Sequence, residues 1–593
     1  MAHIAPLHSL NKTIALAQIE LHITDTKLNC RSPHEDPPSF SPYSAPMSSP
    51  QSGVDVEIHG SKPVVERVTA DDQLAHEFGY KPVFVRKYGT WSSLSFAFSV
   101  GGLFTALMTT FAYPLQAGGP AAILRYPSSS LRIRPLLEFT TQYPVYHLQS
   151  WSLFLAGKLT PFQCITKTHA DLSCRIAAWL NVLGQVAAVA ATEFGASQVL
   201  LSAVAVGSDF TFEPSQRATV GVAAGLAVLT GVINSVSTTW MEKMQKTFVV
   251  FHVTAVVVCF ITLLAVEKSK NSASFVFTNV QSQSGWNPTG FAFLFGFLSA
   301  AFTMTNYDAT AHICEEIRDP AIAAPRATWY ANVMTFVLGL VLNIVLCFCM
   351  KDPYTVLANK IGQPVVQIFY DSLGKSGALA FTACGVIIVQ FTAIVCMQSL
   401  SRTIFAFSRD RLLPFSSIWA KVNTLTGIPL HAVWLSVLLP IVISLIGLGS
   451  YQAVSAVFNV ATAVLDLSYA VPLGCKLAFG RFHRGPWHLG AFSVLINVYS
   501  IVWTFFITVL FFMPTVRPVT AVNMNYAVAI FALIMIFALA YWQIEGKKFY
   551  TGPVDETVHG IEPVNESMVS ADVGQETYQD NKQNHGRKMK PRS

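Results

Sequence analysis

Residues 296–327 read GFLSAAFTMTNYDATAHICEEIRDPAIAAPRA. The stretch begins apolar and ends charged. Between those halves Thr303, Thr305, Asn306, Tyr307, Asp308 and His312 fall inside what hydropathy marks as a membrane span. Ionisable groups are costly at that depth and usually functional. Asp308 and His312 stand four residues apart, so a helix would place them on one face. Glu315, Glu316, Arg318 and Asp319 follow and read as the solvated, interfacial end of that helix. A span this polar does not simply face lipid.

The rest of the chain agrees with a membrane setting. The 593 residues are 52% hydrophobic and 12% charged, where a soluble protein carries roughly 25% charged residues. So few charges cannot clothe a water-facing surface, and lipid must cover much of the exterior. The net charge of +6 is small for this length and the basic residues sit in loops, so nucleic acid is not expected as a partner. Most of the 10 cysteines lie in apolar segments (Cys259, Cys347, Cys349, Cys384, Cys396), with no metal-ligand or disulfide spacing. No metal or cofactor is expected. The sequence has no P-loop for ATP and no nucleophile–base set, which argues against a pump or an enzyme.

Apolar stretches of at least ~18 residues recur at about 92–113, 176–206, 217–237, 246–266, 291–313, 328–350, 377–399, 429–449, 452–479, 489–513 and 524–543. Polar, proline-broken segments flank them. These predict a disordered N-terminal tail over 1–75, a membrane domain over 76–550 and a disordered C-terminal tail over 551–593. Basic loops alternate with weakly basic ones, which places both chain ends in the cytosol. Lys81, Arg86 and Lys87 precede the first span, and Lys243/Lys246, Arg318/Arg326, Arg402/Arg409/Arg411/Lys421, Lys476/Arg481/Arg484 and Lys547/Lys548 mark the later basic loops. Parity then requires a crossing before residue 176 that no long apolar run supplies. The best candidate, VYHLQSWSLFLAG (145–157), has only 13 residues. The predicted topology is twelve spans, the second atypical.

The first span reads WSSLSFAFSVGGLFTALMTTFAYPLQAGGP (91–120), with Gly101–Gly102 in mid-membrane. A glycine pair weakens a helix there. A broken helix bares backbone groups, which is tolerated at this depth where they line a cavity. The freed N–H groups suit a carboxylate. Close helix packing through small residues would use the same glycines.

NYDATAHICEEIRDP (306–320), followed by APRA (324–327), resembles the sixth-span signature of the fungal amino acid/choline transporter family. That family includes the yeast GABA and choline permeases and belongs to the amino acid–polyamine–organocation superfamily. FGYKPVFVRKYGTWSSLSFAFS (78–99), SLSRTIFAFSRDRLLPFS (399–416), LSYAVPLGCKLAFGRF (467–482) and YWQIEGKKFYTGP (541–553) agree with it, so the resemblance covers about 78–553. It implies an all-α polytopic fold of two inverted five-helix repeats plus two C-terminal helices, with the first and sixth spans unwound. It also implies that Ser99, Gly101 and Gly102 face the substrate, that Phe302 gates it with Thr303 alongside, and that Asp308 serves coupling. Arg402, Arg409 and Asp410 would close an inner gate.

The sequence departs from the family at ILRYPSSSLRIRPLLEFTTQYPVYHL (123–148), and family-like sequence returns near AAWLNVLGQ (177–185). Further polar candidates stand inside spans. Glu193 and Asp466 are each a candidate proton carrier or a structural carboxyl, because the charged form is disfavoured in apolar surroundings. Gln185 either contacts substrate or bonds to another helix. The leading expectation is a proton-coupled importer of an amino acid or small amine such as GABA or choline, in the plasma membrane or else the vacuolar membrane. The alternative is a transport-inactive nutrient sensor or a degenerate carrier, motivated by residues 121–175.

Overall fold

The computed structural model describes residues 83–124, 167–358, 361–449, 451–479, 492–521 and 523–546. Among them, 11 helices are long and apolar enough to cross a membrane, matching the runs that hydropathy marks. The predicted tails (1–75 and 551–593) and the candidate second span (145–157) lie outside the described residues, so the twelfth crossing does too.

The first span is α1 (Thr90–Gly101) continued by α2 (Leu103–Thr110). Next come α3 (Lys167–Gly207), α4 (Gln216–Asn234) and α5 (Thr238–Val266). The following span is also split, into α6 (Phe297–Met304) and α7 (Ala309–His312). Then follow α8 (Pro320–Cys349), α9 (Pro364–Arg409) and α10 (Leu430–Ser444). The last three are α11 (Tyr451–Phe479), α12 (Phe492–Phe512) and α13 (Ala527–Tyr541).

Local chemistry sets several of these limits. Pro320 and Pro364 open α8 and α9, where a missing N–H costs nothing. Ser215 caps α4 by accepting the Ala218 N–H at 3.1 Å. Within α9, Gly374 adopts φ 71° and ψ −175° and interrupts the helix, a conformation glycine reaches without a side-chain clash. The predicted span 377–399 lies beyond that break.

Burial separates inner from outer helices. In the most apolar window of the first span and of α3, 78% of residues are buried, against 11% in the last span. Leu533 and Ile536 on α13 are correspondingly exposed, the surface a helix offers to lipid. At the centre, α3 runs along α9 and α11, and α1 runs along α8 and α5. Gly184 lets α11 come close: a Cβ there would stand 2.6 Å from the Leu465 side chain. The two interrupted spans adjoin one another, with Thr110 Oγ1 on α2 2.7 Å from Ser299 Oγ on α6.

Candidate functional site

The site begins with the two breaks. Gly102 takes φ 48° and ψ 45°, ending α1 and starting α2. A Cβ at Gly102 would also lie 2.8 Å from Thr392 Oγ1, so both backbone conformation and space favour glycine. In the second interrupted span, Thr305 is extended at φ −76° and ψ 172°, and Asn306 takes φ 62°. The Cβ position of Gly101 is 4.0 Å from the Thr303 carbonyl oxygen, so the breaks face each other. Ser99 is buried, and its hydroxyl has no partner among the described residues.

Asp308 stands at the end of the second break and gathers three helices. Its Oδ2 accepts from Asn181 Nδ2 on α3 at 2.9 Å and lies 2.9 Å from His312 Nε2 on α7. Its Oδ1 accepts from the Tyr469 hydroxyl on α11 at 2.5 Å. Gln185 Nε2 reaches Asn181 Oδ1 at 2.7 Å, Thr403 Oγ1 at 3.0 Å and His312 Nε2 at 3.0 Å. An amide nitrogen has two hydrogens. The count closes if Gln185 serves Asn181 and Thr403, and His312 Nε2 carries the hydrogen that bonds Asp308. Ser399 completes the network by donating to Gln185 Oε1 at 3.0 Å. Gln185 therefore joins α3 to α9.

The other two carboxyls are only half bonded. Asp466 Oδ1 accepts from Thr305 Oγ1 at 3.3 Å, which ties α11 to the second break. Glu193 Oε1 accepts from Thr230 Oγ1 at 2.7 Å, and Gln390 Nε2 donates to that Thr230 oxygen at 2.5 Å. Asp466 Oδ2 and Glu193 Oε2 are buried without a partner among the described residues. A buried, unbonded carboxylate oxygen is expensive, and carrying a proton removes most of that cost. Glu193 thus belongs to a separate cluster of α3, α4 and α9, not to the Asp308 network. Phe302 is partly buried against Ala191, Phe194, Val220 and Ala223, on the Glu193 side.

One end of the helical body is closed by ion pairs. Arg402 Nε meets Glu316 Oε1 at 2.7 Å with both side chains buried, and Arg409 Nη2 meets Glu315 Oε1 at 2.9 Å with Glu315 more exposed. Tyr88 N donates to the Glu316 carbonyl at 2.9 Å, and Arg318 N donates to the Tyr88 carbonyl at 2.9 Å. The segment before α1 is thereby laced to the segment after α7. Gln398 Nε2 donates to the Tyr88 hydroxyl at 3.0 Å. Burial, and then the Glu316 carboxylate, push the Tyr88 phenol well above its usual range, so it stays neutral. The Arg402 guanidinium also lies 5.7 Å from the Phe84 ring centre. Glu316 corrects the sequence reading of a solvated helix end: it is fully buried because Arg402, 86 positions away, supplies its counter-charge. Asp410 follows the last turn of α9 and bonds the Ala406 carbonyl through its backbone N–H at 3.2 Å.

The opposite end holds a cavity of about 240 Å³. Thr109 on α2, Tyr113 and Gln116 beyond it, Phe194 and Gln198 on α3, Gln363, Asn459, Asn523 and Asn525 line it. Its lining contains amides and hydroxyls and no charged side chain. The size falls below the roughly 300–1,000 Å³ of drug-sized ligand sites, which suits a small solute. Among the described residues no group of three or more His, Cys, Asp or Glu could hold a metal.

Asn181, Thr230, Gln390, Ser399, Thr403 and Tyr469 were not singled out by sequence. Asn181 and Gln185 share an i, i+4 face of an apolar helix, and that spacing was the available signal. The others are single polar residues in apolar runs, which by themselves indicate nothing.

A family model described as "Amino acid permease" matches residues 173–537. An uncharacterized amino-acid permease of Schizosaccharomyces pombe is 46% identical over 492 residues, covering 82% of this chain and 89% of that protein. Amino-acid permease 2 of Neurospora crassa is 41% identical over 515 residues, covering 86% and 93%. Amino-acid permease BAT1 of Arabidopsis thaliana is 28% identical over 500 residues, covering 81% and 95%.

Proposed function

The chain belongs to the amino acid permease family, and from that premise we propose that it imports an amino acid or small amine such as GABA or choline in symport with protons. The observation that carries this reading is the junction of two broken spans with the Asp308–His312 network. The N–H groups after Gly102, with Ser99, Gly101 and Thr303, would receive the carboxylate or an equivalent polar group. Phe302 would close over the solute. A cationic amine would be drawn toward the acidic side of the site, where Asp308 and Asp466 stand.

Asp308 and His312 would hold the coupled proton. The pair already shares one hydrogen, so a second proton placed on the Asp308 carboxylate would displace an existing bond from Tyr469 or Asn181. Such displacement links proton arrival to movement of α3, α7 and α11. Glu193 and Asp466 are secondary candidates, each with one uncommitted oxygen. The ion-paired end carries the basic loops, so the positive-inside rule makes it cytosolic. Arg402 and Arg409, with Asp410 beside them, would act as the inner gate, and the amide-lined cavity would be the outer approach. We assign the protein to the plasma membrane; a fluorescent fusion that marks the vacuolar membrane instead would overturn that assignment.

The test is reconstitution in proteoliposomes with an imposed proton gradient. Labelled L-alanine, L-arginine, L-glutamate, GABA and choline are offered singly. Gradient-driven accumulation of at least one, abolished by an uncoupler, is the expected result. Binding without flux would instead favour a nutrient sensor. That second reading has one specific support: the match to the family model begins at residue 173, after the anomalous segment, while the relatives align over more of the chain.

A further inference from the structure

His252 has no part in the scheme above, yet it touches both halves of the broken first span. It is buried on α5. Its ring lies 4.8 Å from the Phe98 ring on α1. Its Nε2 accepts the backbone N–H of Phe104 on α2 at 3.3 Å. Gly102, where the break occurs, lies between those two contacts in the chain.

One turn back on α5, the same face holds α1 in another way. The Ser95 hydroxyl donates to the Gln245 carbonyl and accepts the Val249 N–H at 3.1 Å. Those two α5 groups belong to one i, i+4 rung of the helix. Helix α5 is thus a frame to which the first span is fastened on both sides of its break.

The Phe104 bond bears on the carboxylate. The first backbone bond of α2 is Ala106 N to Gly102 O at 2.8 Å. The N–H groups of Leu103, Phe104 and Thr105 therefore precede the helix's own acceptors, and Gly102 provides no side-chain cap. His252 satisfies one of them from another helix. A carboxylate in its place would satisfy the donor equally well. It would also add a negative charge where the ligand brings its own. A neutral imidazole nitrogen fixes the turn without that repulsion.

We propose that His252 is a positioning residue: by accepting the Phe104 N–H it sets the direction of the Leu103 and Thr105 N–H groups toward a substrate carboxylate. This rests on the reading of the Gly102 break as the carboxylate site. The consequence is a split between binding and turnover. Losing the acceptor misdirects the donors and weakens binding, while packing on Phe98 survives in any ring of similar size.

The experiment compares His252→Phe, which keeps the ring and loses the acceptor, with His252→Gln, which can accept through its amide oxygen. Uptake of labelled L-alanine, L-arginine, L-glutamate and GABA is measured in proteoliposomes. For the probes transported, KM should rise about tenfold in His252→Phe, with maximal rate within about twofold. His252→Gln should stay within about threefold of wild-type KM. A wild-type KM in His252→Phe, or equal losses in both variants, overturns the proposal. If His252→Phe does not elute as a monodisperse protein, His252→Leu takes its place under the same criteria. Gly102→Ala tests the underlying reading separately. Unchanged uptake in Gly102→Ala defeats the carboxylate site itself; uptake lost there with KM unchanged in His252→Phe defeats only the role of His252.

Discussion

The two ends of the helical body solve different problems with different chemistry. The basic end is shut by full charges: Arg402 and Glu316 are buried against each other, and the backbone before α1 pairs with the backbone after α7. The opposite end has a cavity lined by amides and hydroxyls. A buried ion pair in apolar surroundings resists separation, since each freed charge would be left desolvated. Uncharged polar groups form and release hydrogen bonds at modest cost. In the proposed reading, one end would be a lock and the other a surface over which a polar solute could pass. Between them lies Asp308.

The largest break in that arrangement comes at its midpoint. Asp308→Asn keeps the shape, but one of its two terminal atoms becomes a donor facing groups that themselves donate. Gradient-driven uptake should be abolished, with the protein still reaching the membrane. Normal accumulation by this variant, measured in proteoliposomes, would remove Asp308 from the coupling scheme.

Next in size is the lock. Arg402→Ala leaves Glu316 buried without its cation, at a cost of about 3–5 kcal/mol. A marked fall in Tm, followed by intrinsic fluorescence, should accompany loss of concentrative uptake. Arg402→Ala paired with Glu316→Ala should recover part of that Tm, because no orphan charge remains. If the double variant is no better than the single one, the pair is not what closes this end.

The outer pair on the same end should behave differently. Glu315 is 39% exposed although Arg409 is only 11% exposed, so this half-screened pair should cost less on Arg409→Ala than Arg402→Ala does. Its effect on Tm should shrink further in high salt. An Arg409 effect as large as that of Arg402 would erase the distinction between a buried lock and a screened pair.

The smallest effects belong to the cavity. Gln363→Ala or Asn459→Ala removes one hydrogen-bonding group that water can replace, so KM should shift by no more than about fivefold. The rate under saturating substrate should hold. A collapse in rate from either change would mean that this end, too, is held by a specific bond.

Much of the fold was legible because membrane spans advertise themselves locally. A run of about 18 apolar residues can be counted without knowing its neighbours, and all 11 runs became spanning helices. The first break was also readable, since Gly101–Gly102 is an anomaly within its own span. The second break was half legible. The polar run 303–312 marked a special helix, but nothing in it announced that Asn306 would take a positive φ. Asp308 stood out as an acid in lipid, while its partners Asn181 and Tyr469 lie 127 and 161 positions away.

Glu316 shows the limit most sharply. Its neighbours in the chain are charged, so a local reading puts it in water; its neighbour in space is Arg402, and that contact puts it in the core. His252 is similar, an ordinary histidine in an apolar run until the broken first span is laid against it. By itself, the sequence determined which segments enter lipid and where the first of them weakens, because hydropathy and backbone freedom are properties of short stretches. Tertiary structure alone decided which polar groups are bonded, which carboxyl oxygens are left over and which end is locked. Those outcomes depend on pairing between helices distant in the chain, and in a low-dielectric interior the pairing determines whether a charge can be buried at all.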